Sequence, residues 1–123
     1  MRKQYFFRPS DRGLLAWDVD DLIRLSTGLP RVRIPVAQVR ELDAVWFDED
    51  EKPTWRSFLE HVRYIDEADL AYPIILSASG EVMDGMHRVA KAMRAGLTEI
   101  EAVQFAVDPP PTHVGRKPRD LPY

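Results

Sequence analysis

The chain of 123 residues contains no cysteine. That excludes a disulfide-stapled scaffold, thiolate metal sites and a cysteine nucleophile, and it fits a reducing compartment. Long apolar runs are missing too: no stretch approaches the roughly 18 residues of a membrane-crossing helix. The charged start, Met1-Arg2-Lys3-Gln4-Tyr5-Phe6-Phe7-Arg8-Pro9, has no apolar export segment behind it. Nor is there an excess of positive charge. Lys and Arg number 17 against 20 Asp and Glu, a formal charge of −3, the wrong sign for a protein living by non-specific nucleic-acid binding. There is no G-x-G-x-x-G, and the histidines (His61, His87, His113) lack H-x-x-x-H spacing, so no preformed metal site is expected. These absences predict a cytoplasmic protein that contacts neither membrane nor DNA directly.

What remains is ordinary globular composition, 45% hydrophobic and 30% charged, enough for one compact domain with a real core. Residues 1–16 carry the breakers Pro9, Ser10 and Gly13 and read as irregular. From Asp18 to Gly28 a short helix is expected. Asp18 is its N-cap, acids fill its first turn, and Gly28 and Pro30 close it. Val19, Leu22, Ile23 and Ser26 form the face that docks on the body. Alternation over Arg31 to Val36 predicts a strand, placed at a sheet edge by Pro35. Glu41, Asp43 and the run Asp48 to Glu51 read as a solvated acidic loop, with Trp46-Phe47 tucked into the core.

A stripe of Trp55, Phe58, Leu59, Val62 and Ile65 predicts an amphipathic helix from Pro53 to about Ala68. Ile74-Ile75-Leu76 has the character of a strand covered on both faces. Ser77 to Gly80 is a turn and Glu81 to Met83 a return strand. A helix from Gly85 to Ala95 follows, with Val89, Ala92 and Met93 inward and Gly96 as its C′ residue. Alternation resumes from Glu99 to Phe105. The tail from Asp108, with Pro109-Pro110-Pro111, is expected to be a stiff, poorly ordered arm. The divisions are therefore an extension with a short helix (1–30), the main domain (31–107) and a proline-rich tail (108–123).

Chemistry concentrates where the return strand meets the following helix, Gly80-Glu81-Val82-Met83-Asp84-Gly85-Met86-His87-Arg88. Free amides and the dipole at a helix N-terminus favour an anion. Gly85 has no Cβ to obstruct a phosphate. Arg88 has a guanidinium fork suited to phosphate oxygens, and His87 can donate a hydrogen bond or a proton. Two basic residues in a first helical turn oppose the dipole, which a bound anion would explain. The structural alternative makes Asp84 a mere N-cap and pairs Arg88 with Glu81 or Asp84. Glu81, Asp84 and His87 are the candidate acid–base groups. Lys91 and Arg94, on the outer face, could extend a positive rim or simply be solvated charges. Gly80 and Gly85 have P-loop spacing, but Met86-His87 stand where Lys and Ser or Thr are required.

Tyr72-Pro73-Ile74-Ile75-Leu76, Gly80, Asp84-Gly85-Met86-His87-Arg88, Ala92, Ala95-Gly96 and the strand through Val103 together resemble the ParB/sulfiredoxin superfamily. Val32 to Val39 is similar to that family's opening strand, so the resemblance spans about residues 31–106. Small stand-alone bacterial ParB-like proteins share its N-terminal helix region and acidic loop. The resemblance implies an α+β fold, a small mixed sheet with packed helices. It also implies ATP or CTP phosphates at Gly85, Met86, His87 and Arg88; a Mg²⁺ carried in with the nucleotide would be met by one carboxylate, such as Asp84 or Glu81. Met86 stands where sulfiredoxins keep their catalytic cysteine and partition ParB proteins a glutamate. That removes sulfinic-acid reduction and weakens the case for CTP hydrolysis. The chain also lacks the helix-turn-helix domain of partition ParB proteins. An NTPase or small-molecule phosphotransferase is the enzymatic form of this reading. The alternatives are a non-catalytic module with a vestigial pocket, in which the N-terminal helix or the Trp46-Phe47 surface mediates homodimerisation or partner docking, and, third, a nuclease.

Overall fold

The computed structural model describes residues 3–45 and 53–123. It is a small α+β structure. Strands β1 (Tyr5–Arg8) and β2 (Leu15–Asp18) lead into helix α1 (Val19–Ser26). Strand β3 (Val32–Pro35) and two 3₁₀ turns (Val36–Gln38, Arg40–Asp43) come next, then helix α2 (Trp55–Glu67). Strands β4 (Ile74–Leu76) and β5 (Val82–Asp84), helix α3 (Met86–Arg94) and strand β6 (Glu99–Gln104) complete the main unit. Strand β7 (His113–Val114) and a 3₁₀ turn (Pro118–Asp120) follow.

The main sheet has the order β3-β6-β4-β5. β4 runs parallel to β6 and the other pairs are antiparallel, so the sheet is mixed. β3 lies at an edge and Pro35 ends it, where the missing amide costs no ladder bond. Both faces are covered, as the apolar run 74–76 predicts. Ile74, Leu76, Val82, Ile100 and Ala102 pack with Val36, Val39 and α3's Val89 and Ala92. Ile75, Met83 and Val103 point the other way, onto Leu15, Trp17, Leu22 and Phe105. Side-chain alternation along each strand thus feeds two cores. Each fully buried Leu, Ile or Val in them stabilises the fold by about 1.5–3 kcal/mol.

The helix ends follow the sequence signals closely. Asp18 caps α1 through the Asp20 amide at 2.9 Å. Thr54 and Ser57 cap α2 reciprocally. Gly96 takes a left-handed conformation after α3, its amide bonding Met93 O while Leu97 N reaches Ala92 O.

Several expectations are corrected. Residues 1–16 are not irregular throughout: Tyr5–Arg8 and Leu15–Asp18 are strands joined as a hairpin by the turn that holds Pro9, Ser10 and Gly13, and β7 pairs with β2 to make a second, three-stranded sheet. The tail is therefore not a loose arm. Trp17 Nε1 donates to Pro109 O at 2.7 Å, Asp108 accepts from Arg8 and the Ala78 amide, and Leu121 is buried. The stripe on α2 buries no residue: Trp55, Phe58 and Leu59 are 83%, 46% and 60% exposed. Met93 is also largely exposed, because α3 meets the sheet through Val89 and Ala92. Ile23 is half exposed, whereas Val19, Leu22 and Ser26 are buried as expected. Glu41 is not merely solvated: its Oε2 accepts from the Val82 amide on edge strand β5 at 2.6 Å. The placement expected for Trp46-Phe47 lies outside the described residues.

Candidate functional site

β5 ends at Asp84, and Gly85 turns the chain with φ of 112° before α3 begins at Met86. A Cβ at Gly85 would stand 2.6 Å from Ile74 Cγ2 and 3.2 Å from Ile74 Cα. The bare Cα is therefore needed for the strand-to-helix crossing over β4, which corrects the idea that it is kept open for a phosphate. Met86 packs against the core that α3 covers, so its side chain serves the fold.

Asp84 is not the N-cap; that position belongs to Gly85, which has no capping side chain. Instead Asp84 Oδ2 accepts from Arg88 Nη2 at 2.8 Å, one helical turn on. Arg88 Nη1 donates to Pro73 O at 2.8 Å. The guanidinium thus ties α3 to the chain entering β4, and the Arg88 and Asp84 side chains are only 17% and 14% exposed. The structural alternative for this pair is the arrangement seen.

His87 is half-buried, and its Nε2 lies 3.4 Å from His61 Nδ1 on α2. Their rings are 4.9 Å apart, and Tyr64 lies 5.6 Å from the His87 ring. Burial holds both imidazoles below the ordinary histidine value. For His87 the neighbouring His61 and Arg88 act in the same direction, and Asp84 opposes them. His87 is thus neutral at pH 7 and able to accept a proton.

These residues face a cavity of about 530 Å³. Asp84, Gly85, His87 and Arg88 form one wall, Val19, Asp20 and Ile23 of α1 another, and Tyr64, Glu67 and Ala68 of α2 a third. Lys3 and Gln4 close it. A hydrogen bond to Asp18 raises the Lys3 pKa, so the ammonium is fully charged. The size suits a small-molecule ligand. The charge is mixed, Lys3 and Arg88 against Asp20, Glu67 and Asp84. A polyanion would therefore fit best when partly neutralised by a divalent cation. With Asp84 Oδ2 taken by Arg88, Oδ1 is that carboxylate's remaining oxygen. No group of three or more metal-ligating side chains occurs among the described residues.

Glu81 is not part of this constellation. It sits at the other end of the return segment, where its Oε1 accepts from Arg8 Nη2 at 2.6 Å, and Arg8 also holds Asp108 at 3.0 Å. Lys91 and Arg94 form no positive rim. Lys91 donates to Asp66 O in the last turn of α2 and to Ala68 O just past it, and Arg94 pairs with Asp66.

Lys3, His61, Tyr64 and Glu67 were not singled out by the sequence as site residues. His61 and His87 are 26 positions apart, and only the packing of α2 on α3 makes them neighbours. No sequence signal could have found that pairing.

No helix among the described residues is long and apolar enough to cross a membrane. No protein-family model, curated protein or solved structure matches the chain.

Proposed function

We propose that the chain binds a nucleotide, ATP or CTP with Mg²⁺, and holds its phosphates at the N-terminus of α3. One observation carries this reading: Asp84, Gly85, His87 and Arg88 line the same ligand-sized cavity, with the Lys3 ammonium among its walls. The intrahelical bonds of α3 start with Arg88 N and Val89 N, both to Gly85 O, so the amides of Met86 and His87 are the ones placed ahead of them to attract a phosphate. The resemblance to the ParB/sulfiredoxin superfamily supports the same placement. His87, neutral and half-buried, is the group best suited to proton transfer in an NTPase or phosphotransferase.

Isothermal titration with ATP, CTP and GTP in Mg²⁺ tests the proposal. Expected is saturable binding that weakens with salt and in Lys3→Ala. No heat at millimolar nucleotide overturns it.

A second reading rests on a separate observation, the exposed Trp55, Phe58 and Leu59 on α2. Exposed apolar patches of this kind mark association surfaces. On this reading the chain self-associates through α2 whether or not nucleotide is present. Light scattering decides: a dimer that Trp55→Ser with Phe58→Ser returns to monomer supports it, and a wild-type monomer at high concentration excludes it.

A further inference from the structure

A second cavity, of about 580 Å³, lies beside the first and shares three of its wall residues, Ile23, Asp84 and Arg88. Its character is different. Ile75 and Val103, both buried members of the core behind α1, line it together with Leu29 and Pro73. The Tyr72 ring, largely exposed, stands at its edge. Its charged groups are each held by a protein partner. Arg31 is held by Glu101 at 3.0 Å and by Ala71 O, Arg88 by Asp84, and Asp69 caps the Ala71 amide. The hydroxyls of Ser26 and Thr27 both donate to Ile23 O. This chamber thus offers apolar walls and no uncommitted ionic pair, the setting for an uncharged ring rather than a phosphate.

We infer that the two cavities are halves of one site, divided at the Asp84–Arg88 ion pair. The ligand is then an amphipathic anion: its phosphates lie by the N-terminus of α3 and its uncharged ring lies against Ile75 and Val103. This rests on the nucleotide reading above and extends it, since it assigns the base to the chamber under α1. It gives the Asp84–Arg88 pair a second duty besides fixing α3, as the wall that the sugar must pass. The half-exposed Ile23 borders both halves.

The test compares three probes in Mg²⁺ by calorimetry: ATP, inorganic tripolyphosphate and adenosine. CTP and cytidine serve as the parallel pair. Two variants alter only the apolar half. Thr27→Trp, at an exposed position after α1, fills the chamber, and Tyr72→Ala removes the ring at its edge. Circular dichroism and the urea midpoint verify that each remains folded. Expected is that one of the two nucleotides binds at least about tenfold more tightly than tripolyphosphate, because an aromatic ring leaves water for apolar walls. Thr27→Trp should bring that nucleotide down to the tripolyphosphate level and leave tripolyphosphate unchanged. Equal affinities for nucleotide and tripolyphosphate, both indifferent to Thr27→Trp, overturn the two-part site while the phosphate reading stands. Nucleoside binding that Thr27→Trp abolishes, with no affinity for tripolyphosphate, overturns the phosphate reading and keeps the chamber as a ring site. No binding of any probe overturns both.

Discussion

Gly85→Ala is the sharpest single test of how the site is built. Two costs add at this position. A non-glycine residue at φ of 112° is strained by about 1–3 kcal/mol. The new methyl would also stand 2.6 Å from Ile74 Cγ2, inside the roughly 3.5–4.0 Å of normal carbon contact. Ile74 is fully buried between β6 and α3, so it cannot swing clear. Overpacking of that kind costs about 1–3 kcal/mol more. The sum, about 2–6 kcal/mol, is a large share of the roughly 5–15 kcal/mol that stabilises a domain. Gly80→Ala supplies the control. Its φ is 90°, but the nearest atom to a new Cβ is the flexible Arg40 Nη2 at 4.0 Å, so only strain applies. In urea, Gly85→Ala should lower the midpoint at least twice as far as Gly80→Ala, with unchanged slope. Equal shifts would refute the packing argument. A Gly85→Ala protein of wild-type stability that no longer binds nucleotide would restore the bare Cα to a phosphate-facing role.

Acid should weaken the fold through the histidine pair. His61 and His87 both titrate below the ordinary histidine value of 6.5 when folded. The unfolded chain therefore takes up protons first as pH falls, and their contribution is full above about pH 6.5 and lost as pH drops through the lower folded values. Each unit of depression corresponds to about 1.4 kcal/mol. Urea midpoints between pH 5 and 8 should show this slope, and His87→Gln should flatten it; a slope of opposite sign defeats the assignment. Arg88→Ala leaves the Asp84 carboxylate and the Pro73 carbonyl without their donor, at a cost of about 2–4 kcal/mol. Arg88→Lys should recover less than half of that, because an ammonium cannot span both partners. Trp17→Phe removes the bond to Pro109 O and should cost about 1–2 kcal/mol. Limited proteolysis should then cut beyond residue 108 faster than in the wild type.

The parts legible in the sequence are those set by local chemistry. Asp18 before two acids and a short apolar face, and Gly96 after α3, mark helix ends through backbone groups a few residues away. Pro35 marks an edge because it lacks an amide, and the unbroken Ile74-Ile75-Leu76 run marks a strand between two cores. What escaped depends on distant partners. β1, β2 and β7 are two to four residues long, too short for a period to emerge. β7 pairs with β2 across nearly a hundred positions, so Pro109 to Pro111 read as an arm although Trp17 and Arg8 hold their neighbourhood in place.

The candidate site divides along the same line. Proximity in sequence was enough to group Asp84, Gly85, His87 and Arg88, and they do share one cavity wall. It misled wherever a side chain had a better distant partner. Glu81 belongs to Arg8, which lies 73 positions away on β1. Gly85 answers to Ile74, and Met86 to the core beneath α3. The junction thus serves two masters: the Gly85 Cα and the Met86 side chain fix the crossing of α3 over β4, and the opening amides of α3 with the polar atoms of Asp84, His87 and Arg88 remain to meet a ligand. Any phosphate bound here must use the α3 amides, the Lys3 ammonium and whatever donors Arg88 keeps beyond Asp84 and Pro73. Binding that survives Arg88→Lys but not Lys3→Ala is the pattern this division requires.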